Sequence, residues 1–61
     1  MNLYSKRKEA GLTQATVAQA LNVTVSAIPQ WESGATKPRI EYLTTLAELY
    51  GCTIEELLET E

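Results

Sequence analysis

The chain has 61 residues, 44% of them hydrophobic, with one Cys, no His and a formal net charge of −3. That length holds a single core, since compact domains begin at about 50 residues and roughly 60% of the unfolded surface can be buried at this size. A lone Cys without His excludes an internal disulfide and a zinc staple, and the absence of any apolar run longer than three residues excludes a membrane span and a signal-peptide core. One domain over residues 1–61, cytoplasmic, without metal or cofactor, is expected.

Turn residues punctuate the chain at regular intervals. A first helix is predicted over residues 2–10, stopped by Gly11, because Gly readily takes the left-handed conformation in which helices end. Thr13 is placed to cap a second helix over 14–21, which stops at Asn22. Thr24 is placed to cap a third over 25–33, which stops at Gly34. Residues 35–39, with Thr36, Lys37 and Pro38, form the one loop of any length. A fourth helix follows over 40–50 up to Gly51, and Thr53 with Glu56 forms a capping box at the head of a fifth over 54–59. No strand is predicted. Helical spacing gathers Val17, Ala18 and Leu21, then Ile28 and Trp31, then Leu43, Leu46, Ala47 and Tyr50 on inward faces. Leu3, Leu12, Val23, Ile54, Leu57 and Leu58 complete a core of the all-α class. Trp31 is expected in that core rather than as a stacking platform.

Charge is distributed unevenly. Lys6, Arg7, Lys8, Lys37 and Arg39 all precede residue 40, against Glu9 and Glu32, whereas the segment from Ile40 onward holds six Glu and no cation. A +3 segment therefore precedes a −6 segment. The acidic total argues against a polyanionic partner; the asymmetry argues for one on the basic side, with a solvated acidic face as the plainer explanation of the rest.

The segment from Gln14 to Ser33 is read as helix, tight turn, helix. Ala18 gives the small side chain that two steeply crossed helices need at closest approach, Asn22 makes the turn, and Val23 fills the corner. Ile28 and Trp31 face inward from the second of these helices, so Val25, Ser26, Pro29 and Gln30 face outward.

This pattern resembles the lambda-repressor-like, XRE-type helix-turn-helix family from Leu3 to Leu58. The resemblance is carried by Arg7 before Gly11, Leu12-Thr13-Gln14, Val17-Ala18, Ile28, Trp31-Glu32-Ser33-Gly34, Lys37-Pro38, Leu46-Ala47 and the closing Ile54 to Leu58. It implies a compact five-helix DNA-binding domain of a bacterial or phage transcriptional regulator, expected to be a repressor, acting as a homodimer on a palindromic operator in double-stranded DNA. By the same resemblance, Val25, Ser26 and Gln30 read bases, Gln14, Ser33, Thr36 and Lys37 touch phosphates, and Arg7 and Glu32 form a partly buried ion pair. Gln suits adenine, Ser suits several bases, and Val can meet the thymine methyl. Taken without this pattern, Gln14 and Gln30 read as ordinary solvated helix residues and Arg7 as one more member of a basic cluster. Cys52 stands where the family usually has Val, which implies a buried, inert thiol.

Pro29 departs from the family, which more often carries a polar residue there. In a helix begun at residue 25 it stands at the fifth position, where its ring meets the carbonyl of residue 25 at a cost of roughly 3 kcal/mol unless the helix starts late or bends. On that basis Pro29→Ser is expected to raise helix content and thermal stability.

No enzyme chemistry is indicated, because the chain has no nucleophile beside a base, no phosphate-cradling glycine loop and no ligand cluster. Neither a small-molecule ligand nor a membrane partner is expected. Leu49, Tyr50, Ile54 and Leu58 are the candidates for self-association. Met1 and the capped last helix point to a stand-alone module rather than a fragment. The alternative reading is a helix-turn-helix that binds another protein, as an antitoxin or regulatory partner, through its acidic C-terminal face.

Overall fold

The computed structural model describes residues 1–59. Five helices pack around one core: α1 (Leu3–Glu9), α2 (Gln14–Leu21), α3 (Ala27–Ser33), α4 (Ile40–Tyr50) and α5 (Ile54–Leu58). The described residues include no strand. The first and fifth helices stop short of the predicted 2–10 and 54–59 by one residue at the frayed ends. The third starts two residues later than the predicted 25–33.

Local chemistry accounts for most of these boundaries. The Thr13 hydroxyl accepts from the Thr16 N–H at 3.1 Å, and the Thr53 hydroxyl accepts from the Glu56 N–H at 3.1 Å while the Glu56 carboxylate accepts from the Thr53 N–H at 3.2 Å. Loss of such a cap costs about 1 kcal/mol. Asn22 takes the left-handed conformation at φ 58°, the one non-glycine among the described residues to do so. Its N–H reaches the Gln19 carbonyl and that of Val23 the Ala18 carbonyl, which satisfies the last free acceptors of α2. The same pair of bonds closes α4, where Gly51 reaches Glu48 and Cys52 reaches Ala47. The residue after each turn is thereby folded back onto the core, which is why Val23 and Cys52 are half-buried.

The late start of α3 is caused by Pro29. Thr24 does not cap this helix: its hydroxyl pairs with that of Ser26 at 3.2 Å, and its carbonyl accepts from the Ala27 N–H in a tight turn. The Val25 carbonyl, which the proline ring would otherwise meet, accepts from the Ile28 N–H at 3.1 Å. Helical geometry then begins at Ala27 with Ser26 as the N-cap residue, so Pro29 is the third residue of the first turn, where an N–H has no intrahelical acceptor anyway. Val25 and Ser26 consequently stand on the turn entering α3, not within it.

Leu3, Val17, Ala18, Leu21, Ile28, Trp31, Leu43, Leu46, Ala47, Tyr50 and Leu57 are buried. Leu12, Val23 and Ile54 pack against them half-buried, but Leu58, expected in the core, is 48% exposed. Trp31 meets Tyr42 with ring centroids 5.5 Å apart, so the indole is a core group. The two ends of the fold are tied together: the Asn2 N–H donates to the Leu57 carbonyl at 2.8 Å, and Lys6 of α1 bonds Glu56 of α5 at 3.4 Å. Among the described residues no helix is long and apolar enough to cross a membrane.

Candidate nucleic-acid interface

The core fixes which side of α3 faces outward. With Ile28 and Trp31 buried, a rotation of about 100° per residue leaves Ser26, Pro29, Gln30 and Ser33 opposite them; these four are exposed, as is Val25 on the entering turn. None carries a charge. The Ser33 hydroxyl donates to the Gln30 carbonyl at 3.2 Å and accepts from the Ala35 N–H at 3.4 Å, which turns the chain into the loop after α3. The Thr36 N–H reaches the Gln30 carbonyl as well, so this loop is held against the end of the helix.

A buried ionic network supports this surface from behind. Arg7 of α1 donates from Nε to Glu32 Oε2 at 2.6 Å and from Nη2 to Oε1 at 3.3 Å, and its Nη1 donates to the Leu12 carbonyl at 2.9 Å. Both charged side chains are 8% exposed. The bond to Glu32 holds the Arg7 guanidinium above its ordinary pKa, with burial working against it. Gln14, the first residue of α2, donates its carboxamide to the same Glu32 Oε1 at 3.3 Å. One carboxylate thus joins the last turn of α1 and the start of α2 to the end of α3, and fixes the orientation of Gln14. Behind the network, burial pushes the Tyr50 phenol up to about 12, with the charge of Glu32 adding to it.

Two open hollows flank α3. The first, about 640 Å³, is lined by Arg7, Lys8, Thr13, Gln14, Ala15 and Val25 among others. Gln14 and Ala15 also stand at the positively polarised N-terminus of α2, where early N–H groups lack helical acceptors. The second, about 310 Å³, is lined by Ser33, Thr36 and Lys37 with Trp31 and Glu32. The seven residues assigned to bases and phosphates therefore fall into three groups. Gln14 and Val25 share the first hollow, Ser33, Thr36 and Lys37 share the second, and Ser26 and Gln30 are exposed and line neither.

Lys8 was not singled out by the sequence, yet it lines the first hollow and is exposed. Its neighbour Arg7 gave the available signal: once Arg7 turns inward, the next residue of a short helix turns out. On the opposite side of the molecule Tyr50 is buried, which removes it from the residues expected to mediate self-association. Leu49 and Ile54 are half-buried, and Leu58 is open. Cys52, expected to be buried, is half-buried, and that burial pushes its thiol up. Among the described residues no group of three His, Cys, Asp or Glu side chains comes together to hold a metal.

Comparison with known proteins shows the family of the chain. The chain is 39% identical over 59 residues to the HTH-type transcriptional activator BcrR of Enterococcus faecalis, covering 97% of this chain and 29% of that protein. It is 40% identical over 57 residues to the HTH-type transcriptional regulator DdrOP3 of Deinococcus deserti, covering 93% of this chain and 44% of that protein. The chain thus spans less than half the length of each of these relatives. No solved structure matches it significantly. The family model described as helix-turn-helix matches residues 3–57, nearly the whole of the described fold, and the chain belongs to that XRE-type helix-turn-helix family.

Proposed function

We propose that the chain is a sequence-specific DNA-binding transcriptional regulator that inserts the start of α3 into the major groove. The observation that carries this reading is an exposed, uncharged helix face accompanied by two hollows, one lined by Lys8 and Gln14 and the other by Thr36 and Lys37. B-form DNA presents the complementary arrangement, a groove of base edges about 12 Å wide between two phosphate backbones. In this reading Val25, Ser26 and Gln30 face the bases, and Gln14, Ser33, Thr36 and Lys37 face phosphates. The Arg7–Glu32 pair holds α1 and α3 in register. The names of the two relatives support a regulatory role.

Few cations face the DNA, so one copy binds weakly and two are needed, paired on a palindromic operator with half-sites about one helical turn apart. Leu58, with the half-buried Leu49 and Ile54, is the surface left for pairing. Bound at a promoter, the dimer acts by occupying it, and repression by occlusion is the simplest form of that action.

The test is an anisotropy titration with promoter DNA from the protein's own locus, repeated over a salt series. The expected result is affinity that falls steeply with salt and weakens markedly in Gln30→Ala and Lys37→Ala. A dimeric sample that shows no binding tighter than micromolar at low salt would overturn the reading in favour of a protein-interaction module, and sedimentation of the free protein tests the homodimer.

A further inference from the structure

The outward face of α3 and its entry turn has an unusual chemistry for a surface proposed to read bases. The commonest specific base contact is Arg or Lys to the two acceptors of guanine, and neither residue occurs on this face. Two of its five exposed residues, Val25 and Pro29, have wholly apolar side chains, and Val25 is 49% exposed. They are four residues apart, Val25 on the turn entering α3 and Pro29 in its first turn. Of the polar three, Ser26 spends its hydroxyl on Thr24 and Ser33 on the backbone at Gln30 and Ala35. The Gln30 carboxamide has no partner among the described residues, and is the one group on the face free to make a bidentate contact.

The position of Pro29 is informative in its own right. A Ser at the N-cap ordinarily accepts from the N–H two or three residues on, and the residue three beyond Ser26 is Pro29, which has none. Ser26 accordingly makes no capping hydrogen bond. Of the five helices, α2 and α5 have a side-chain cap and α1, α3 and α4 do not; at α3 the third position holds a rigid, exposed apolar ring.

Four base pairs present themselves in the major groove, and the single apolar group among their edges is the thymine C5-methyl. Cytosine N4 and the guanine acceptors, pressed against Val25 and Pro29, lose water and gain no partner. We propose that Pro29 and Val25 together select thymine, so that the operator half-site carries thymine methyl groups against this pair and adenine against Gln30, with no guanine read by a charged side chain. The assignment rests on the DNA-binding reading above and adds to it the base composition of the target. Pro29 becomes a specificity-determining residue, its ring fixed in place with little side-chain entropy to lose on contact.

The test begins with enrichment of bound duplexes from a randomised pool, using the full chain. Enriched sites are then resynthesised with uracil replacing thymine one position at a time, which removes the methyl and keeps the pairing. The expected result is a half-site with an A·T core in which one or two such replacements weaken binding by about fourfold each, equivalent to the ~0.8 kcal/mol of one buried carbon. In the double variant Val25→Ala/Pro29→Ala the same replacements change affinity little, because both larger apolar side chains are gone; melting curves establish that the variant is folded. Enriched sites with guanine at the positions facing α3, or an A·T core indifferent to uracil, would overturn the thymine assignment and leave DNA binding standing. A pool that yields no enriched sequence would overturn both.

Discussion

Arg7 and Glu32, twenty-five residues apart, close on one another at 2.6 Å inside the domain, and the same carboxylate holds Gln14 at 3.3 Å. Removing one member leaves the other charged and buried, a situation that costs about 3–5 kcal/mol. A chain of this size has only about 3–9 kcal/mol of stability in total. Arg7→Met and Glu32→Leu are each expected to leave the domain largely unfolded or close to it in urea titration. The double variant Arg7→Met/Glu32→Leu recovers part of the loss but not all, because the Leu12 carbonyl still lacks its donor. Additive single effects would show that the pair is not coupled.

Pro29→Ser is expected to leave helix content and melting temperature nearly unchanged, in contrast to the gain anticipated for a proline inside a helix. The restored N–H allows Ser26 to cap, worth about 1 kcal/mol, and the lost rigidity of proline offsets about 0.4–1 kcal/mol of that. The cycle is diagnostic: Ser26→Ala costs about 1 kcal/mol in the Pro29→Ser background and little in the parent. Thermal unfolding of the four proteins measures it, and an equal effect of Ser26→Ala in both backgrounds would refute the capping argument.

Asn22 sits at φ 58° in the turn between α2 and α3. Asn22→Gly is expected to be neutral within a few tenths of a kcal/mol. Asn22→Ala is expected to lose about 1 kcal/mol in denaturant unfolding, the cost of placing an ordinary side chain in a left-handed conformation. A larger loss on glycine than on alanine would contradict the backbone explanation.

Tyr50 supplies a pH dependence. Its phenol is held up to about 12 in the folded chain against an ordinary value of 10, so the neutral form is the one the fold favours. A raised value means stability that is complete below pH 10 and declines as the pH rises from there through about 12, because the unfolded chain gives up this proton first. The loss over that interval is on the order of 2 kcal/mol. In Tyr50→Phe this component disappears, so the melting curves of parent and variant should diverge in alkali. Parallel curves from pH 9 to 12 would count against it.

Much of this fold is legible in the order of residues. The four left-handed turn positions, the Thr13 cap, the Thr53–Glu56 box and the bounds of α2 and α4 all follow from local chemistry, and local chemistry is what a sequence displays. The pairing of Arg7 with Glu32 came from family pattern, since nothing within three or four residues of either points to the other. The start of α3 was misjudged because two local signals conflict there: Thr24 invites a helix at 25, and Pro29 forbids one until its own position falls within the first turn. Tyr50 was legible as apolar in pattern, but whether it is spent on the core or spare for a partner depends on how α1 and α3 cover it, a matter of tertiary packing. The same holds for Leu58, which helical spacing assigns to the core and the short α5 leaves in solvent. The two hollows, one of them with Lys8, belong to the assembled surface and have no local signature.

The bond from Asn2 to Leu57 has a consequence for the order of events during synthesis. The first helix carries Arg7 and Lys8, yet its anchor lies fifty-five residues further along the chain, at Leu57. Until Leu57 emerges, α1 has no partner at its start and Lys6 has none in Glu56. A nascent chain therefore holds an incomplete fold in which the start of α1 is not yet anchored. The domain is closed only once Glu56 and Leu57 have been made and can meet α1.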